Sequence, residues 1–120
     1  MRTRYLSLVL VWVVLALALV SRANADEEHG CDDVTVDSLY HCVHHAIEMG
    51  HISNVGVGNS LLAKVDAAQA AVDRGQPKVA VRILGAFIHE VEAQAAVHID
   101  PEHAAHMIMH AEMVIDALSP

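Results

Sequence analysis

The sequence predicts an all-α fold, a compact antiparallel bundle of about four helices. Three observations lead there. Apolar residues recur at three- and four-residue steps through residues 37–120, no stretch alternates with a period of two, and glycine and proline punctuate the chain at spacings suited to short helix–helix connections.

The first 25 residues stand apart from this pattern. Arg2 and Arg4 precede a 15-residue apolar run, Leu6 to Val20, and Ala23-Asn24-Ala25 supplies a small-residue exit. A basic start, a short apolar centre and an A-x-A site describe a secretory signal peptide. The run is shorter than the roughly 18 to 20 residues a membrane-spanning helix needs, so no membrane insertion is expected after its removal. A lipoprotein is not indicated, because Glu28-His29-Gly30 ahead of Cys31 lacks the apolar residue of a lipobox. The expected organisation is a signal peptide over 1–25, an acidic segment over 26–36 and a helical domain over 37–120. The mature product is expected to be secreted or periplasmic.

The first helix starts at Thr35 or Asp37 and runs to Gly50, with Leu39, Tyr40, Val43, Ala46 and Ile47 on one face. HISNVGVGN (51–59) reads as a connection. Asn59 or Ser60 then opens a second helix, whose stripe is Leu61, Leu62, Val65, Ala68 and Val72 and whose end is Arg74-Gly75. Pro77 suits the first turn of the third helix, which carries Ala80, Leu84, Phe87, Ile88, Val91 and Ala95. Asp100-Pro101-Glu102 combines a capping carboxylate, a proline and a first-turn acid to start the fourth helix. Met107, Ile108, Ala111, Val114, Ile115 and Leu118 form its stripe. Stripes this rich in alanine and valine imply close helices and a thin core.

Removing the leader leaves Lys64, Arg74, Lys78 and Arg82 against all 15 acids, a formal charge of −11 with histidine neutral. Such a chain is repelled by phosphate backbones and anionic lipid, which argues against nucleic acid as a partner. Two cysteines in an exported chain most simply pair, so Cys31 and Cys42 are expected to form a disulfide that ties the acidic segment to the first helix. The alternative is that Cys42, flanked by histidines, serves as a thiolate ligand.

Three blocks, GNSLLAKVDAAQAAVDRG (58–75), AFIHEVEAQ (86–94) and IDPEHAAHMIMHAEMVIDAL (99–118), resemble the FIMAH domain. The resemblance covers almost the whole chain after Asp37. It implies a small helical accessory module of the kind appended to larger secreted bacterial proteins, here expected to stand alone behind its leader. It implies no catalytic residue.

Ten histidines remain to be explained. In the fourth helix, His103, His106 and His110 fall within an arc of about 60°, with Met109 and Met113 beside them. This face is expected to point away from the core. Imidazoles at such spacing can converge on Zn, Cu or Ni, and nearby thioethers favour Cu(I). His41 and His45 form a second i, i+4 pair opposite the apolar stripe of the first helix. Against the metal reading stands a solvated helix face whose histidines titrate near pH 6 to 7, a pH-responsive surface in its own right.

Stronger catalytic signatures are missing from the sequence. HEVEA (89–93) lacks the second histidine of a zinc-protease motif, Glu48-Met49-Gly50-His51 is interrupted by a helix-ending glycine, and there is no nucleophile elbow or C-x-x-C. The expected function is an exported, non-catalytic binding module with an unidentified protein partner. The alternative is an extracytoplasmic binder or buffer of transition metal through His103, His106 and His110, with His41 and His45.

Overall fold

The computed structural model describes residues 31–120. The proposed leader and residues 26–30 of the acidic segment lie outside the described residues. Four helices follow one another: α1 Val36–Glu48, α2 Val55–Asp73, α3 Pro77–Gln94 and α4 Pro101–Leu118. Each packs against its neighbour in sequence, and α4 closes back on α1, while the backbones of the diagonal pairs α1–α3 and α2–α4 stand further apart. Among the described residues the only extended pairing is two isolated bridges, Ile52 with Ile99 and Ala95 with Ile99. The first of these brings the α1–α2 connection against the α3–α4 connection. Both loops therefore sit at one end of the bundle, as the up-and-down path of the chain requires. No described helix is long and apolar enough to cross a membrane.

Local chemistry sets most of the boundaries. Thr35 caps α1, its hydroxyl accepting the Ser38 backbone N–H at 3.1 Å. At the other end Gly50 adopts φ +80°, so that its N–H reaches the Ile47 carbonyl at 3.1 Å and the His51 N–H reaches that of Ala46 at 2.9 Å. Gly75, at φ +71°, ends α2 in the same way: Gly75 bonds to Val72 and Gln76 to Ala71, both at 2.9 Å. These are paired Schellman closures, which a residue with a Cβ adopts only at a steric cost. Pro77 opens α3. Asp100 caps α4, accepting the His103 N–H at 3.3 Å.

The start of α2 differs from the sequence expectation. Residues expected to form a connection already belong to the helix, which opens at Val55 with Asn54 as its cap; the Asn54 side chain accepts the Val57 N–H at 3.1 Å. Glycine is a poor helix former, which is why Gly56 and Gly58 read as loop. Gly58 stands at a close approach: a Cβ there would lie 3.0 Å from Cδ1 and Cγ1 of Ile47. The glycine lets the first turns of α2 press against the end of α1.

The core is thin, as the stripes imply. Leu39, Leu61, Leu84 and Phe87 are its largest fully enclosed side chains apart from residues of α4 and its approach, and Ala68, Ala71, Ala80 and Ala111 allow close approach between helices. Across the α2–α3 seam, Lys64 Nζ lies 2.6 Å from Glu90 Oε2, which also accepts the Ser60 hydroxyl at 2.9 Å. The expected disulfide is present: Cys31 is bonded to Cys42 with their Cα atoms 5.4 Å apart, a separation typical of such bridges. Cys42 is thus a bridge partner, and the alternative of a thiolate ligand falls away.

Candidate functional site

The histidines of α4 do not share one fate. On a helical wheel the residues that α4 buries, Ala104, Met107, His110, Ala111 and Val114, centre some 30° closer to His110 than the stripe expected from sequence. Ile108 and Ile115 sit at the edge, half-buried. The reason is the position of α1, which packs against α4 on the His110 side. His110 is only 2 % exposed and Ser38, across the seam on α1, only 3 %. The imidazole Nε2 lies 3.2 Å from Ser38 Oγ, and Nδ1 lies 3.6 Å from Cys42 Sγ. Burial lowers the His110 pKa, opposed by a hydrogen bond to the Asp33 backbone and assisted by the charge of His106. The expectation that His110 shares a solvated face with His103 and His106 is corrected: it is a core histidine joining two helices. A serine beside a histidine resembles a nucleophile and its base, but here both side chains are buried in the α1–α4 seam.

His106 and His103 remain accessible, and so does His45 on α1. All three line a cleft of about 240 Å³ along the α1–α4 seam, together with Glu102 and the Cys31–Cys42 disulfide. The adjacency of α1 and α4 thus brings one member of the α1 pair to the α4 histidines. His41 is not at this cleft; it is exposed and lies 3.6 Å from Asp37, one turn earlier on α1. Met109 and Met113 are exposed, whereas Met107 is in the core.

The tightest cluster contains a residue expected only in a connection. The His51 and His103 rings stack with centroids 3.5 Å apart and planes 15° from parallel. Asp100 Oδ2 lies 2.8 Å from His103 Nδ1. One ligand-capable atom from each of His51, Asp100 and His103 lies within 4.8 Å of the other two, the one such group of three found among the described residues. Asp100 has its pKa lowered, first by the hydrogen bond from the His103 side chain and then by that from the His103 backbone.

Backbone geometry holds this cluster in place. His51 follows Gly50 in the Schellman closure of α1, and Asp100 is the cap of α4. The Asp100 N–H donates to the His51 carbonyl at 2.9 Å, and Ser53 N–H donates to the His98 carbonyl at 2.8 Å. The two loops are therefore laced together on both sides of the Ile52–Ile99 bridge. A second depression of about 380 Å³ is lined by residues of both loops, including His51, His98 and Asp100. His103 lines the cleft and His51 the second depression, so the stacked pair borders both hollows.

His51 and Asp100 carried a readable signal, although it is indirect. An up-and-down bundle puts the first and third connections at the same end, so chemistry-bearing residues in those two loops become neighbours.

The FIMAH domain pattern matches residues 36–116, which covers all four helices but the last residues of α4. No curated protein and no solved structure is found to match the chain. The match spans the bundle, the α1–α4 cleft and the laced loops: the chain belongs to the FIMAH domain family.

Proposed function

We propose that this FIMAH domain is an exported, non-catalytic binding module that engages a protein partner through the α1–α4 cleft. The cleft carries the reading. It lies along a seam that is the least closely packed of the four, and it combines an apolar floor at Ala46 and Met107 with a polar rim at His45, Glu102 and His106. That pairing of apolar floor and polar rim is how protein surfaces meet partners of modest affinity. The disulfide on its wall supports an oxidising compartment, as does the basic–apolar–small pattern of the first 25 residues. The −11 charge of the mature chain favours a partner with a basic contact surface.

The test is site-specific photo-crosslinking from position 106, with position 66 on the exposed face of α2 as control, against the exported protein fraction of the native host. One defined protein captured from position 106 and not from 66, and lost when His45 is changed to Glu, is the expected result. Equal labelling from both positions would end the cleft reading.

A second reading, metal handling, is favoured by a separate observation, the His51–Asp100–His103 cluster.

A further inference from the structure

We propose that His51, Asp100 and His103 form a binding site for a divalent first-row transition ion, with Zn²⁺ the best chemical fit. The inference goes beyond the protein-binding role and does not depend on it. It also differs from the set expected along α4, because two of its three members come from the loops and His110 takes no part.

The donor set fits. Two neutral imidazoles and one carboxylate, with a fourth position left to water, is an established arrangement for zinc. Bonds of about 2.0–2.2 Å in a tetrahedral site put donor atoms roughly 3.3 Å apart. His103 Nδ1 and Asp100 Oδ2 are already at 2.8 Å, and all three donors lie within 4.8 Å of one another. Binding turns the two rings out of their stack, so that their in-plane lone pairs converge, and exchanges the His103–Asp100 hydrogen bond for bonds to the ion.

The scaffold is also pre-organised. The three residues are held by two helix termini and by backbone hydrogen bonds between them: the Schellman closure ahead of His51, the Asp100 cap, and the Asp100-to-His51 bond at 2.9 Å. An ion would therefore order few additional groups. The position is reachable, since the His103 and Asp100 side chains are 38 % and 43 % exposed and the cluster borders both hollows. His45 across the cleft and His106 one turn along α4 place further imidazoles nearby. The net negative charge of the chain draws cations toward it.

The positive end of the α4 dipole opposes a cation here. That effect is small at an exposed terminus, and the Asp100 carboxylate already sits against it.

The experiment is calorimetric titration of the untagged, oxidised protein with Zn²⁺, supported by the visible absorption of Co²⁺ as a report on coordination number. One ion per chain is expected, with submicromolar affinity and a four-coordinate cobalt spectrum. His51→Gln and His103→Gln should each weaken binding by at least about tenfold. Asp100→Asn keeps a good helix cap while removing the carboxylate, and should weaken it too. Changing His41 and His44 to Ala, both exposed on α1, should leave the isotherm unaltered. Zinc should raise the melting temperature of the wild type and not that of His51→Gln, whose helical content is checked by circular dichroism. Weak, multi-site binding that is equal in every variant overturns the proposal. So does tight binding that survives His51→Gln but is lost with His106→Gln, which would move the ion into the cleft. Because His51 does not line the cleft, loss of metal binding in His51→Gln with crosslinking from position 106 intact separates this inference from the partner reading.

Discussion

His51 and His103 lie face to face, ring centroids 3.5 Å apart, although one follows the end of α1 and the other occupies the first turn of α4. Neither helix alone creates the contact. It depends on the two loops being laced together and on Asp100 serving both as cap and as the acid next to His103. Asp100→Ala should therefore lower the melting temperature and separate the rings, whereas Asp100→Asn should hold the start of α4 because asparagine caps about as well. The check is thermal melting, together with the ring-proton shifts of the two histidines by NMR.

His110 gives a signed pH prediction. In the folded chain burial holds its pKa below the ordinary 6.5. Below about that pH the unfolded chain takes up a proton that the folded chain refuses, so stability falls. The His110 contribution is intact above pH 6.5 and is lost progressively as the pH drops toward the folded-state value. Thermal midpoints across pH 7.5 to 5 should decline more steeply for the wild type than for His110→Gln, which keeps a hydrogen-bonding partner for Ser38. Parallel curves would show that His110 is not the group responsible.

Opening the disulfide should be costly. Eleven positions separate Cys31 from Cys42, and a loop of that size corresponds to about 2–3 kcal/mol in the chain-entropy account. Replacing both cysteines with serine should reduce the denaturation free energy by that order and leave the helical circular dichroism signal largely intact at low temperature.

Two helical glycines should respond oppositely to alanine. Gly85 in α3 has nothing within 4 Å of the added Cβ, so Gly85→Ala should gain about 0.5–1 kcal/mol from helix propensity alone. Gly58→Ala gains the same propensity but drives its Cβ into Ile47 at 3.0 Å. It should show no gain, or a loss, in urea melts.

Breaking the Lys64–Glu90 pair should have a modest effect. Both side chains are partly buried, at 31 % and 20 % exposure, and Glu90 also accepts the Ser60 hydroxyl. Glu90→Ala should cost about 1–2 kcal/mol, more than an exposed ion pair would. A double-mutant cycle with Lys64→Ala measures how much of this is the pair itself.

Features fixed by a few consecutive residues were legible in the sequence. Thr35, Gly50, Gly75, Pro77 and Asp100 mark helix ends because their backbone chemistry acts within one turn. The start of α2 was not legible, because Gly56 and Gly58 weigh locally against helix, and the benefit of Gly58 arises only when Ile47 of α1 arrives. The fate of His110 depended on the same kind of information. Its helix alone groups it with His103 and His106 on a face turned from the core, and only the arrival of α1, with the Ser38 hydroxyl and the disulfide sulfur, encloses it. The accessibility of His41 and His45 was legible from their helix, but only the packing of α4 against α1 decides that His45 enters the cleft and His41 does not.

The Cys31–Cys42 bridge also sets the route by which mechanical load enters the domain. Tension on the chain ahead of Cys31 bypasses Asp32 to His41 and arrives through sulfur at Cys42, in the middle of α1 and against α4. The first turns of α1 are thereby shielded from peeling one hydrogen bond at a time. A tug from that side must instead shear α1 along its neighbours, where many contacts resist together.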